Sequence, residues 1–182
     1  MTRYRRAAVG GGTYFFTVVT YRRQRFLTDE EPRGWLREAI EATRGDWPFR
    51  IDAWVLLPDH LHCIWTLPEG DWDYATRWAL IKGRFTKRAK ELLLREDWLT
   101  DSKRKHREGT VWQCRFWEHV IRDERDYQAH MDYVHYNPVK HGLVTWVADW
   151  PFSSFHRYVK AGAYASNWGV AEQPPGLIAF GE

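Results

Sequence analysis

Two strand-like runs, residues 49–57 and 60–67, meet at the dipeptide Pro58-Asp59, and this pairing constrains the fold more than any other feature. Both runs are rich in aromatic and aliphatic residues, and the turn between them is too short for anything but a hairpin. Upstream, the β-branched and aromatic run over 13–21 reads as a buried strand. Asp29-Glu30-Glu31-Pro32 has the acids and the early proline of a helix start, so a helix is predicted over about 31–44, with Gly45 as its stop. Downstream, Trp72, Ala75, Ala79, Ile81, Phe85, Ala89, Leu92 and Leu93 follow helical spacing over 72–95. The charged stretch 96–109 reads as an exposed loop, and the mixed aromatic segment 111–121 ends in a fourth strand. Asp123 then caps a helix carrying Tyr127, Met131 and Val134, which Asn137-Pro138 should end. The resulting order, β-α-β-β-α-β-α, predicts an α+β fold: a four-stranded antiparallel sheet of ferredoxin or RNA-recognition type with helices packed on it.

The chain has 182 residues, enough for one domain over 1–168, with an irregular tail over 169–182 that contains Pro174-Pro175-Gly176. No apolar run approaches the roughly 20 residues that a spanning helix needs, and the N-terminus lacks the apolar core of a secretory signal. A cytoplasmic, monomeric protein with no membrane partner is expected. Cys63 and Cys114 alone support neither a disulfide framework nor a zinc knuckle.

A formal charge of only +3 hides two basic segments. Residues 1–25 hold six arginines and no acid, and residues 82–107 hold ten lysines or arginines against four acids. Basic segments interleaved with aromatics, in a chain with 12 Trp, suit a polyanion that also offers stackable rings. A solvated helix face and a charged loop would account for the charge equally well. Gly10-Gly11-Gly12 reads as a flexible hinge behind a basic arm formed by Arg3, Tyr4, Arg5 and Arg6, whose arginines suit guanine edges. Lys82, Arg84, Lys87 and Arg88 lie on the predicted helix over 72–95 and suit a phosphate backbone.

His60-Leu61-His62 begins a strand, so alternation puts both imidazoles on one face, where they can share an ion. Two polar sheet residues would give the same pattern. Tyr133 and Asn137 lie four apart on a helix, hence on one face and about one turn from each other. A carboxamide oxygen is a hard ligand suited to Mg²⁺ or Mn²⁺, and a neighbouring phenol would lie close to whatever such an ion polarises. A hydrogen-bonded core tyrosine and a helix-capping asparagine are the plainer alternatives.

Taken together these segments resemble the REP-associated tyrosine transposases, single-tyrosine members of the HUH nuclease superfamily. The matching words are Gly-Gly-Thr-Tyr-Phe-Phe-Thr-Val at 11–18 and Asp-Ala-Trp-Val-Leu-Leu-Pro-Asp-His-Leu-His-Cys-Ile-Trp-Thr-Leu-Pro-Glu-Gly-Asp at 52–71. They continue with Trp-Gln-Cys-Arg-Phe-Trp-Glu-His-Val-Ile-Arg at 112–122, Asp-Tyr-Val-His-Tyr-Asn-Pro-Val-Lys-His-Gly-Leu-Val at 132–144 and Asp-Trp-Pro-Phe-Ser-Ser-Phe-His-Arg at 149–157. The resemblance covers about residues 3–168. It implies the HUH nuclease fold and an endonuclease and strand-transferase acting on single-stranded DNA at REP hairpins, which follow a tetranucleotide of the GTAG type. It also implies a divalent metal, Mg²⁺ or Mn²⁺, and a bacterial, nucleoid-associated location. His60 and His62 match the metal pair, Tyr133 matches the nucleophile, and Asn137 stands where relatives carry a third ligand, often Gln. Tyr136 is the competing phenol. A domesticated protein that binds hairpins without cutting them, an RNA-recognition domain and a zinc hydrolase are the alternatives.

Overall fold

The computed structural model describes residues 8–106 and 108–169. The arm residues Arg3, Tyr4, Arg5 and Arg6, and nearly all of the predicted tail, lie outside the described residues. Strands β1 (Thr13–Val19), β2 (Arg50–Leu56), β3 (His60–Thr66) and β4 (Trp117–Val120) form one antiparallel sheet in the order β2-β3-β1-β4. This is the expected ferredoxin-type order, with the N-terminal strand in the middle because each helical crossover skips one position.

Alternation along the central strands assigns the two faces. Tyr14, Phe16 and Val18 of β1, with Leu61, Cys63 and Trp65 of β3, join the larger cluster of buried residues. Helices α1 (Glu30–Asp46) and α2 (Tyr74–Leu93) cover this face through Leu36, Ile40, Trp78, Ile81 and Phe85. Trp65 stacks on Trp78 with ring centroids 4.2 Å apart, the tightest aromatic contact between the sheet and α2. Phe15, Ala53, Val55 and Ile64 face the other way and pack under Met131, Tyr133 and Val134 of α4 (Glu124–Lys140). The histidines of β3 therefore lie between the sheet and α4.

Local signals explain most boundaries. The Asp73 side chain accepts from Thr76 N at 2.9 Å to cap α2, and Asp123 does the same for α4 through Asp126 N at 2.8 Å. Helix α1 runs one residue past Gly45 to Asp46. Three expectations are corrected. First, α4 does not end at Asn137-Pro138; it continues to Lys140. The stop is Gly142, whose φ is +66°, with Gly142 N bonded to Val139 O and Leu143 N to Pro138 O, both at 2.9 Å. Pro138 sits in the last turn, where a missing donor costs only one intrahelical bond. Second, the stretch 96–109 is not a plain loop. Glu96–Trp98 forms a 3₁₀ turn, and α3 (Asp101–His106) follows, with Thr100 O accepting from Arg104 N at 2.9 Å. Lys103 holds this segment down, its ammonium 4.1 Å from the Tyr21 ring centroid and 3.5 Å from Glu108.

Third, Gly10-Gly11-Gly12 is not a hinge. Gly11 N bonds to Asp71 O, and a Cβ on Gly10 would lie 3.1 Å from the Gly70 backbone. The Tyr14 hydroxyl both accepts from Val9 N and donates to Val9 O, each at 2.8 Å. These glycines permit close backbone approach, and they root the N-terminal segment beside the β3–α2 loop. Among the described residues, no helix is long and apolar enough to cross a membrane.

Candidate metal and tyrosine site

His60 and His62 lie on β3, both buried, with their rings 4.9 Å apart and nearly perpendicular. Each ring is oriented through its Nδ1. His60 Nδ1 lies 2.7 Å from Asp59 Oδ1, and His62 Nδ1 lies 2.9 Å from Thr17 Oγ1, the residue paired with His62 across the β1–β3 ladder. These bonds leave both Nε2 atoms without a hydrogen-bond partner although they are buried. The Asn137 side chain is buried too, its Nδ2 donating to Tyr133 O at 3.5 Å and its Oδ1 lacking a partner. Other buried side-chain atoms, Trp65 Nε1 and His135 Nδ1 among them, also lack a partner, but these two imidazole nitrogens and one carboxamide oxygen lie in one layer and are donors of the kind a cation takes. The donor set fits a divalent ion, and Asp59 and Thr17 stand where the outer-shell partners of a ligating histidine would stand.

The electrostatics agree. Burial holds the His62 imidazole well below its usual pKa, assisted by positive charge at His60, His141 and Lys140 and opposed by a weak side-chain hydrogen bond with Asn137. His62 is therefore neutral, as a ligand must be. Burial alone would raise the Asp59 carboxyl, but the hydrogen bond from His60 and the nearby Arg23 overcome it and hold it at about 2.

Tyr133 is fully buried, one turn before Asn137 on α4. Its ring meets His62 edge-on at 5.2 Å and Phe15 at 5.8 Å, and its hydroxyl is 3.3 Å from Lys140 Nζ. Tyr136 lies elsewhere, packed with Val147 and Phe155 in a separate cluster and 6.3 Å from the Trp168 ring. The structure thus brings together His60, His62, Tyr133 and Asn137 and leaves the competing phenol out.

Sequence reasoning missed Lys140 and His141, the latter with its ring 4.9 Å from that of His60. They follow Tyr133 by seven and eight residues, a helical signal that ending the helix at Pro138 concealed. The basic residues of α2 are not part of this site, because α2 covers the opposite sheet face. Arg84 pairs with Asp46 at 2.5 Å and Arg88 with Glu38 at 3.7 Å, both turned toward α1, whereas Lys82 donates to Gln113 O at 2.8 Å on the other side. A groove of about 610 Å³ lies beside α1, lined by Arg33, Arg37, Arg44, Trp54 and Phe152. Cys63 is buried on the α1–α2 face, where burial pushes its thiol well up, and Cys114 is exposed. The RNA-recognition alternative needs exposed aromatics on β1 and β3, but α4 covers that face.

A second cluster joins β4 to α4. His119 Nε2 lies 2.9 Å from Asp126 Oδ2, His130 Nδ1 lies 3.1 Å from Asp126 Oδ1, and Arg122 reaches the same carboxylate through N at 3.0 Å and Nε at 3.1 Å. Three ligand atoms lie close enough here to hold a metal, yet the carboxylate is already engaged by a guanidinium and a backbone amide. We read it as a positioning network. Burial raises the Asp126 carboxyl, and the bonds from His119 and Arg122 more than offset this, holding it at about 2. A depressed carboxylate pKa adds stability above its unfolded value and loses it as pH falls through the folded one. Here that window runs from about pH 4 down to about pH 2 and is worth roughly 2 kcal/mol. Asp126→Asn should therefore lower the unfolding free energy by about 2 kcal/mol near neutral pH and flatten its decline in acid. Urea denaturation at a series of pH values tests this, and parallel wild-type and variant curves would contradict it.

No family model matches the chain. It is 48% identical over 171 residues to a REP-associated tyrosine transposase of Escherichia coli (strain K12), covering 92% of this chain and 91% of the relative. A putative REP-associated tyrosine transposase of Haemophilus influenzae is 45% identical over 170 residues, covering 93% and 94%. Among solved structures, a REP-associated tyrosine transposase bound to a REP hairpin superimposes with a TM-score of 0.78 at 46% identity, covering 100% of both chains.

Proposed function

The chain belongs to the REP-associated tyrosine transposases, and on that premise we propose that it binds REP-type DNA hairpins and cuts and rejoins single-stranded DNA beside them through a 5′-phosphotyrosine on Tyr133. The observation that carries this reading is the convergence of three buried polar atoms with no partner outside the group, His60 Nε2, His62 Nε2 and Asn137 Oδ1, next to the Tyr133 phenol. Hairpin binding is supported by the similar transposase bound to a REP hairpin.

His60, His62 and Asn137 would hold Mg²⁺ or Mn²⁺. When bound, such an ion offsets the negative charge that builds on the scissile phosphate. Asp59 and Thr17 face the Nδ1 atoms and so hold the rings with Nε2 turned inward. Lys140 Nζ, 3.3 Å from the hydroxyl, favours the phenolate of a group whose reference pKa is near 10. The Tyr133 oxygen attacks phosphorus, its proton passes to solvent, and the 3′ oxygen leaves and takes up a proton. One phosphoester bond forms as one breaks, so a second 3′-OH can reverse the step and join strands without a nucleotide cofactor. Acting on REP DNA would place the protein, as a monomer, with the bacterial chromosome in the cytoplasm.

Incubating the protein with labelled single-stranded REP oligonucleotides and Mn²⁺ should yield a metal-dependent, denaturation-resistant adduct. Absence of the adduct with retained hairpin binding would favour the second reading, a hairpin-binding protein that does not cut. The burial of Tyr133, which leaves a phosphate no direct path to the hydroxyl in this conformation, is the observation that favours that reading.

Sequence discrimination is assigned to the arm. Deleting residues 1–6 should cost roughly 1–3 kcal/mol for each lost bidentate arginine–guanine pair. The loss should appear with hairpins carrying the intact tetranucleotide and not with scrambled ones. Neutralising Lys82 and Lys87 should instead weaken both alike and flatten the salt dependence. Equal losses on arm deletion would reduce the arm to an electrostatic tether.

A further inference from the structure

We propose that Trp117, backed by His119, is a base-stacking platform for a nucleotide flanking the scissile phosphate, an inference that rests on the single-strand reading above. Trp117 lies on β4, the short edge strand, and is 37% exposed. It sits in the same cross-strand row as the metal-site candidates, since Thr17 pairs with His62 on one side and with Trp117 on the other.

The ring is braced from two directions. The His119 ring is parallel to it within 3°, with centroids 6.0 Å apart, and His119 stacks in turn on His130 at 4.6 Å. Asp126 holds both histidines and is itself tied to Arg122 and to the cap of α4. Phe15 meets Trp117 edge-on at 5.6 Å and Tyr133 edge-on at 5.8 Å, so a single ring separates the exposed indole from the phenol. Such a network orders an indole before any ligand arrives, so stacking on it costs little side-chain entropy. Arg115 and Arg122, both exposed, stand two residues before and two residues after the strand. Aromatic rings flanked by cations are how sequence-tolerant sites grip single strands: bases stack while the cations follow the phosphates. A nucleobase accounts for an indole left open beside a buried phenol, whereas duplex DNA would bring its backbone and not an unpaired ring face.

The test is equilibrium binding, in excess EDTA so that no cleavage occurs, of a REP hairpin with a single-stranded flank in which each flanking position in turn is abasic. Wild type should lose about 10- to 100-fold in affinity at one position. Trp117→Ala should show a similar loss with the intact flank and no further loss when that position is abasic. Trp117→Phe, which keeps a stacking ring, should retain most of the affinity and show that the Ala effect is not misfolding. A hairpin lacking the flank should bind all three proteins alike. The proposal is overturned if Trp117→Ala binds the flanked hairpin as tightly as wild type, or if its loss adds in full to the abasic loss at every position. Adduct formation by wild type in Mn²⁺ is scored separately. Its failure would overturn the cleavage reading, while the coupling between Trp117 and the abasic position still decides the platform.

Discussion

Tyr133→Phe should form no covalent adduct with single-stranded REP DNA and should bind the hairpin as wild type does. The substitution removes one oxygen. The ring keeps its edge contacts with His62 at 5.2 Å and Phe15 at 5.8 Å, and the Lys140 ammonium still lies 4.8 Å from its centroid. What is lost is the 3.3 Å contact between Lys140 Nζ and the hydroxyl, together with the only atom in the ring able to attack phosphorus. Removing a covalent nucleophile typically costs at least about a thousandfold in rate, so strand cleavage should fall below detection. Tyr136→Phe, altered in a ring that packs against Val147 and Phe155, should cleave normally. Adduct formation by Tyr133→Phe at the wild-type rate would remove this residue from the chemistry.

The second large effect is expected at the ligand pair. His60→Ala or His62→Ala should abolish metal-dependent cleavage while sparing most hairpin affinity, because phosphate and base contacts lie largely elsewhere. Both side chains are buried, so each variant is compared with wild type by circular dichroism before it is assayed. A milder change makes the same case without emptying the site. Asp59→Asn keeps the shape but weakens the group 2.7 Å from His60 Nδ1, and it should reduce apparent Mn²⁺ affinity about 10- to 100-fold. Titrating Mn²⁺ in the cleavage assay reads this directly. Cleavage by His60→Ala/His62→Ala in excess chelator would show that the imidazoles have another purpose.

Much of this arrangement is legible in the sequence, and the parts that are not share a cause. The hairpin over β2 and β3, the helices on either side of it and the common face of His60 and His62 follow from local periodicity. Tyr133 and Asn137 fall on one face of α4 by spacing alone. Lys140 and His141 are hidden in the sequence because two stop signals, Pro138 and Gly142, compete four residues apart, and the glycine is the one used. Thr17 as the partner of His62 requires the β1–β3 register, and the His119–Asp126–His130 network requires β4 to pair with β1 beneath α4. Gly10-Gly11-Gly12 reads as a hinge in sequence because glycine serves both freedom and close approach, and only the backbone of Gly70 beside Gly10 decides between them. Long-range register is what short patterns do not encode.

The most direct measurement is the site of the DNA–protein bond. Wild-type protein is incubated with a single-stranded REP oligonucleotide and Mn²⁺, the adduct is digested with protease and nuclease, and the modified peptide is sequenced by mass spectrometry. The nucleotide is predicted on Tyr133, within the segment that also carries Asn137, Lys140 and His141. A nucleotide on Tyr136, or hairpin binding with no modified peptide at all, would contradict the assignment of Tyr133 as the nucleophile.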